Sequence, residues 1–491
     1  MSVLGPGAGS MFARRVRDVV ARAPVTCGAG ESAREIARRL TRERVGSVVV
    51  TDGAARPLGI VTDRDLRGKV VAEGRDAATT PAAAIMSSPL VTIRPDAFAW
   101  EAVLEMTRRE IHHLGVLDGE RLAGVVSSSD LLVPHTTHPV TLAREIGRAA
   151  SAAALAALGQ RVTALVRVLV EEGGSATDIG EMVAELNDRV VARVLTLAVA
   201  AQEAAAGPAP VGWAWLAFGS EARREQTLRT DQDNGLVYAD PPPEARAAAA
   251  GWFARLGTAA VDLLVAAGVP RCEGDVMASN PRWCQPLAVW AEYFRGWMRV
   301  TAPGPLLSAA IVFDLRPVAG DLALGVTLRE LLRAEAPGQR AFLRFLAHDV
   351  VSHRPPLTLL RHLAVPRRGP GRGRIDVKFA GAQQVVGAAR LAALELGLAE
   401  TNTVARLRGA VARGWHGEGE VAELVDGYRH LLRLRLVHQL DQLGRGERAD
   451  NLVEPAALRR ADRLLLVDAL RTVARLQAEL RERYATDLIG A

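Results

Sequence analysis

Lysine is nearly absent from this chain: of its 61 basic residues only Lys69 and Lys378 are lysine, and the other 59 are arginine. The bias fits a GC-rich genome, and it singles out two positions where a compact ammonium stands in place of a planar guanidinium. Cysteine is almost as scarce. Cys27, Cys272 and Cys284 are too few and too far apart for a disulfide framework or a spaced zinc site, which fits a reducing cytoplasm. No uncharged apolar run approaches the ~20 residues of a membrane span, and the best one, residues 190–201, is broken by Arg193. Residues 1–10 lack the charged start and apolar core of a signal peptide. No Gly-Lys-Ser/Thr follows their glycines, so they form no P-loop, and residues 1–13 read as a disordered start. A surplus of one charge sign is missing too. The net charge is +6, but both signs are mixed along the chain, so no dedicated nucleic-acid surface is expected. The one basic cluster, residues 367–374, reads as a solvated Gly/Pro loop, with contact to phosphates as the alternative. What remains is a chain of 491 residues, 49% of them hydrophobic, enough for three or four domains with ordinary cores.

The chemistry gathers at residues 213–238, WAWLAFGSEARREQTLRTDQDNGLVY. An apolar run of strand length stops at Gly219-Ser220, where residues 221–226 open a short helix. Glycine lets the backbone approach a phosphate, and the free N–H groups of a helix start face it. After ten intervening residues come Asp231 and Asp233 at the head of a second strand, where alternation puts both carboxylates on one face. Such a pair suits Mg²⁺ or Mn²⁺, which take hard oxygen ligands and are completed by substrate phosphates. That is the minimum apparatus for in-line nucleotidyl transfer from an NTP. The plainer reading is a strand, turn and helix with two solvated aspartates.

With Arg223, Glu225 and Thr230 also in family positions, GSEARREQTLRTDQDN resembles the nucleotidyltransferase superfamily of DNA polymerase β. It is more similar still to the nucleotidyltransferases that accompany CBS domains, relatives of the PII uridylyltransferases. The resemblance implies a polymerase-β-like core at residues 207–320. Gly219, Ser220, Arg223 and Thr230 would lie at the nucleotide, and Asp231 and Asp233 would be the metal-binding catalytic acids. It also implies a third acid on a later strand. Residues 311–313 read as a buried strand delivering Asp314; Asp275 is the alternative, and an Asp314–Arg316 structural pair is the plain reading. Gln232 and Asn234 depart from the hydrophobic residues usual there, which points to a strand near the edge of its sheet.

An internal repeat precedes this core. SAREIARRLTRERVGSVVVTD (32–52) aligns without gaps on FAWEAVLEMTRREIHHLGVLD (98–118), an offset of 66 residues. Each copy leads into a strand, a hydroxyl residue at a turn, and an Asp three residues on: Thr62 with Asp65, and Ser127 with Asp130. Such residues cap helices; a carboxylate can also accept both hydroxyls of a ribose. The pair resembles tandem CBS domains, here residues 14–135, in which these four positions contact an adenosine nucleotide and which pair as homodimers.

Residues 139–206 are alanine-rich, with Leu158, Val162, Leu165 and Leu169 on one face and Ser175 and Asp178 positioned to cap a second helix. They read as a helical hairpin linking sensor to core. Residues 321–491 are mostly amphipathic helix, at 322–334, 341–351, 382–396, 421–443 and 455–484. IDVKFAGAQQVV (375–386), TNT (401–403), YRHLLRLRLVHQ (428–439) and ADN (449–451) resemble the helical C-terminal domain of the same nucleotidyltransferases. Lys378 matches a lysine of the related uridylyltransferases. Residues 375–378 read as a short alternating segment with Asp376 and Lys378 on one face, expected to close over the cleft so that the ammonium meets the triphosphate or the acceptor; chance placement competes, since Lys69 sits in an ordinary helix.

The chain therefore reads as an α+β multidomain protein of the cytoplasm. A CBS pair senses an adenosine nucleotide, and a polymerase-β-like core transfers a nucleoside monophosphate from an NTP. The acceptor hydroxyl would belong to a PII-like or other signalling protein, or to a small molecule. The competing class is a non-catalytic nucleotide-sensing regulator whose core only binds. The cyclic-nucleotide-binding domain of the usual family layout is not expected here.

Overall fold

The computed structural model describes residues 11–20, 22–131, 138–228, 231–299, 310–358, 362–366, 368 and 371–488. The chain divides into two compact units, Met1–Glu145 with Glu171–Gly174, and Ile146–Val170 with Ser175–Ala491.

In the first unit the repeat becomes two three-stranded sheets of the same plan. β1 (Thr26–Gly28) pairs parallel with β2 (Ser47–Thr51), which pairs antiparallel with β3 (Pro57–Thr62). β4 (Thr92–Ile93), β5 (His113–Asp118) and β6 (Arg121–Ser127) repeat the arrangement. A parallel pair needs a crossover, and α1 (Ala33–Glu43) and α2 (Ala99–Arg109) supply it. Ile36 and Leu40, one turn apart on α1, pack on Val48, Val50 and Val61.

The segments ahead of the two repeats trade places. Arg15, ahead of the first repeat, bridges Phe98 in the second, while Pro81, ahead of the second, bridges Ser32 in the first. The same 66-residue offset relates the Val16 N–H to Ala97 carbonyl bond and the Ala82 N–H to Glu31 carbonyl bond, each 2.8 Å. This overturns part of the expected disordered start: Met11 and Phe12 are buried, and Phe12 stacks on Trp100 with ring centroids 6.2 Å apart.

The second unit is built on a four-stranded sheet in the order β10-β7-β8-β9, where β7 is Trp213–Phe218, β8 Asn234–Tyr238, β9 Cys284–Pro286 and β10 Leu315–Gly320. β8 is thus internal, not near an edge as Gln232 and Asn234 suggested. Their polar groups are satisfied internally: Asn234 Nδ2 donates to Gln232 Oε1 at 3.1 Å, and Asn234 Oδ1 accepts from the Ala278 N–H at 2.8 Å. A second correction concerns residues 311–313, which lie in a 3₁₀ turn (Ala310–Phe313), with β10 beginning only at Leu315.

The hairpin of α3 (Ala152–Glu171) and α4 (Ala176–Ala206) forms as read, with Ser175 Oγ accepting from the Asp178 N–H. It is no free-standing linker, because α4 packs on α5 (Arg246–Ala266), β10 and a long C-terminal helix (Glu418–Gly444). Nor does a gap open at residue 321. Phe218 and Trp290 from the sheet layer share one core with Phe342, Leu391 and Tyr428 from the C-terminal helices. After α6 (Leu287–Met298) those helices are α7 (Leu322–Glu335), α8 (Arg340–Ser352), α9 (Gln383–Leu396), α10 (Thr403–Val411), α11 (Glu418–Gly444) and α12 (Arg460–Tyr484). Two helical segments, Ala152–Glu171 and Pro243–Ala266, have the length and mean hydropathy of a membrane span, and both place apolar residues in the core.

Candidate functional site

β7 ends in a tight turn because Gly219 takes φ = +55°, and a Cβ there would stand 2.7 Å from Ile311. The expected helix at 221–226 is a single turn, Gly219–Ala222. One turn carries little dipole, so positive charge for a phosphate has to come from side chains. Asp231 and Asp233 precede β8 and line, with Gly219 and Ser220, a cleft of about 800 Å³. Alternation turns Gln232 and Asn234 to the other side of the strand, away from the cleft. Thr230 lies outside the described residues.

Asp231, Asp233 and Cys272 bring one ligand atom each within 4.8 Å of one another. Burial pushes the Asp233 carboxyl up to about 6, against a hydrogen bond from Cys272 and with Asp231 adding to the rise. Burial and Asp233 push the Cys272 thiol up to about 11, so it stays protonated and donates to the carboxylate. The available hard donors are therefore the two aspartates, a set that fits Mg²⁺ or Mn²⁺ with substrate oxygens completing the shell.

Lys378 faces these carboxylates across the same cleft. It does not sit on an alternating strand with Asp376: β11 is only Ile375–Asp376, paired with β12 (Leu452–Val453), and Asp376 Oδ1 caps the following turn by accepting from the Lys378 and Phe379 N–H groups. Burial and neighbouring Arg435 lower the Lys378 ammonium pKa, while Asp231 and Asp233 oppose the shift. Arg435, about 9% exposed, lines the cleft beside it and donates from Nε to Asn451 Oδ1 at 2.6 Å. Among the described residues neither cation has a carboxylate within salt-bridge distance. Two desolvated, unpaired cations beside two acids make a receptor for an anion that also carries metal. Arg435 was missed in the sequence because it is one arginine among 59; its signal is the helical spacing that aligns it with Tyr428 and Gln439.

Asp314 is not a third acid of this cleft. It is fully buried, its Oδ2 accepts from Arg223 at 2.5 Å and Arg390 at 2.7 Å, and Oδ1 accepts from Arg406. Burial alone would raise its carboxyl, but the guanidiniums of Arg390, Arg406 and Arg223 hold it far below the usual carboxylate range. Nor does it pair with Arg316, which binds Asp188 at 2.8 Å. Asp275 lies outside the cleft lining and accepts from Asn280 Nδ2 at 2.8 Å. Arg223 lines the cleft, yet its charge is spent on Asp314 and on Glu225, 2.8 Å away. The C-terminal motifs meet this same loop: Glu225 accepts from Asn402 Nδ2, from the Thr403 N–H and hydroxyl, and from the Tyr428 hydroxyl.

In the first unit Thr62 and Asp65 form a capping box, whereas the Asp130 N–H turns to the Ser127 carbonyl and not to its hydroxyl. Thr62 donates to Asp65 Oδ2 from N–H (2.9 Å) and hydroxyl (2.6 Å), and Ser127 does the same to Asp130 Oδ2 at 2.8 and 2.5 Å. They differ in their surroundings. Asp65 is buried and paired with Lys69 at 2.8 Å, so Lys69 is not the ordinary helix residue expected; Asp130 is exposed and has no cation partner among the described residues. His113 on β5, not anticipated from the sequence, lies within electrostatic reach of Asp130, Asp63 and Asp65.

Three family models match the chain. The CBS domain covers residues 16–72 and 82–133, "Putative nucleotidyltransferase DUF294" covers 160–304, and "Putative nucleotidyltransferase substrate binding domain" covers 340–484. The second begins inside α3, in keeping with the packing of the hairpin on the sheet. An uncharacterised protein of Methanopyrus kandleri is 36% identical over 118 residues, 24% of this chain and 60% of that one. The CBS domain-containing protein YhcV of Bacillus subtilis is 31% identical over 119 residues, 24% of this chain and 83% of the relative. A solved CBS domain protein from Pyrobaculum aerophilum, complexed with AMP, is 31% identical and aligns over 25% of this chain and 93% of its own, with a TM-score of 0.24.

Proposed function

The chain belongs to the CBS-domain proteins that carry a DUF294-type nucleotidyltransferase region and its substrate-binding domain, and from that premise we propose that it moves a nucleoside monophosphate from an NTP to a hydroxyl of a protein or small molecule. The observation that carries this reading is the cleft in which Asp231 and Asp233 face Lys378 and Arg435, two cations without carboxylate partners among the described residues. Asp231 and Asp233 would hold Mg²⁺ or Mn²⁺, which when bound neutralises phosphate charge. Lys378 and Arg435 bind the remaining phosphate charge, and the Gly219-Ser220 backbone passes close to the nucleotide. The acceptor oxygen bonds to the α-phosphorus, the bond to the β-phosphate oxygen breaks, pyrophosphate leaves and the acceptor's proton is released. Adenosine nucleotides binding at Ser127 and Asp130 are the regulatory signal in this reading.

Incubation with each α-labelled NTP, Mg²⁺ or Mn²⁺ and cell lysate tests it. The expected result is label on a discrete species, lost in Asp231→Asn and Asp233→Asn with the melting temperature kept. Nucleotide binding without label transfer under all conditions would instead make the protein a sensor that does not turn over.

A further inference from the structure

Behind the strand that presents Asp231 and Asp233 lies a second cavity, of about 310 Å³, into which Gln232 and Asn234 face. Its walls combine aliphatic side chains, Leu155 and Val162 from α3, Val183, Val190 and Val191 from α4 and Leu264 from α5, with the polar Gln160, Thr163, Asn187 and Gln226. Among its lining residues there is no lysine, arginine or histidine, and Glu221 is the one titratable side chain. Glu221 is 7% exposed and Thr227 is 6% exposed. Among the described residues Glu221 Oε1 and Thr227 Oγ1 have no hydrogen-bond partner.

An unmet buried polar atom destabilises a fold, and native folds seldom leave two in one place without a reason. Water is an incomplete remedy here. A space of this size has the volume of roughly ten waters; Gln160, Thr163, Asn187 and Gln226 offer some of them partners, but the leucine and valine side chains offer the others none. An anion would meet a carboxyl and no cation. A purely apolar occupant would leave Glu221 and Thr227 as they are. The remaining class is a molecule with an apolar body and one strong donor head. The electrostatics agree, because burial together with Asp188 and Asp233 pushes the Glu221 carboxyl up to about 8, against the influence of Arg316, and a positive head would relieve that concentration of acids.

We propose that this cavity binds a small organic cation, a primary amine on an apolar body, with its ammonium on Glu221 and Thr227 and its carbon skeleton against the leucine and valine side chains. The site is separate from the cleft, yet Glu221 is joined to Ser220 by one peptide bond, so its occupant sits directly behind the nucleotide turn. The inference does not depend on whether the cleft performs transfer.

Benzylamine and its neutral counterpart benzyl alcohol, titrated into the full chain and followed by calorimetry and thermal shift, separate the outcomes. Benzylamine should bind saturably and at least tenfold more tightly than benzyl alcohol. Glu221→Gln should remove that preference, leaving the two affinities within threefold. Gly159→Leu, at a helix position where a Cβ meets nothing within 4 Å, should fill the space and abolish both while keeping the melting temperature at or above that of the parent. No saturable binding of benzylamine, equal affinity for the two compounds, or undiminished binding in Gly159→Leu would each overturn the proposal.

Discussion

The Tyr428 hydroxyl donates to Glu225 Oε2 at 3.0 Å, joining α11 to the loop after the Gly219-Ser220 turn across 203 residues of sequence. Glu225 also takes Arg223 of its own loop, Asn402 and Thr403, so one carboxylate fastens the turn to two separate stretches of the chain. Tyr428→Phe removes a single bond to a charged group and should cost ~2 kcal/mol. Glu225→Ala strands the Thr403 and Asn402 donors together and should cost on the order of 3–5 kcal/mol. Urea unfolding of both variants measures the difference, and equal losses would mean that Glu225 is not the joint.

Asp314 makes stability depend on acid. Its folded carboxyl is held far below the usual range by three arginines, so its contribution is fully present above the unfolded value of ~3.9 and fades as pH falls below it. Asp314→Asn should lower the melting temperature strongly at pH 7 and progressively less below about pH 4. Thermal scans from pH 7 to 3 check the convergence; a gap that stays constant over that range would show the carboxylate charge to be irrelevant.

Among the described residues Lys378 and Arg435 have no carboxylate within salt-bridge distance, and their burial is a cost to the empty protein. Lys378→Met should therefore raise the melting temperature by a few degrees without nucleotide, while weakening NTP binding about tenfold, equivalent to ~1.4 kcal/mol. Arg435→Lys should weaken binding similarly, because a point charge cannot hold Asn451 and a phosphate together as a planar fork does. Calorimetry with a non-hydrolysable NTP reads both effects. Unchanged affinity in the two variants would remove them from the nucleotide site.

The two halves of the sensor should not bind alike. Asp65 is taken by Lys69, whereas Asp130 is open to solvent. Titration of the full chain with AMP or ADP should saturate at one equivalent, with binding lost in Asp130→Ala and kept within threefold in Asp65→Asn. Two equivalent sites by calorimetry would contradict this.

The repeat, the strand and turn around Gly219, and the paired aspartates were legible in the sequence because each is set by local spacing. The same holds for the long C-terminal helices, with Thr403–Val411 the one that periodicity over a short segment did not reveal. Asp314 was misjudged because its role depends on Arg223, Arg390 and Arg406, which stand 91, 76 and 92 residues away; an acid after an apolar run looks the same whether it meets a metal or three guanidiniums. Gln232 and Asn234 pointed to an edge for a related reason. Polar residues on a strand signal solvent unless distant backbone groups satisfy them, and here Val269 and Ala278 do so. That the segments on either side of residues 206 and 320 share one core was not legible, because a shift in composition does not reveal it.

The traded segments of the first unit have a consequence for fragments of it. Arg15 and Val16 close the second repeat and Pro81 and Ala82 close the first, so a cut between the repeats would leave each piece carrying the other's missing edge. Neither piece would be a self-sufficient folding unit. Mixed in solution, they would have to find each other at a rate proportional to concentration, whereas the intact chain supplies the partner at the high effective concentration of a short tether. The same reciprocity offers two whole chains a way to exchange arms, so that a dimer could form by substitution of one chain's edge for another's with no new contact invented.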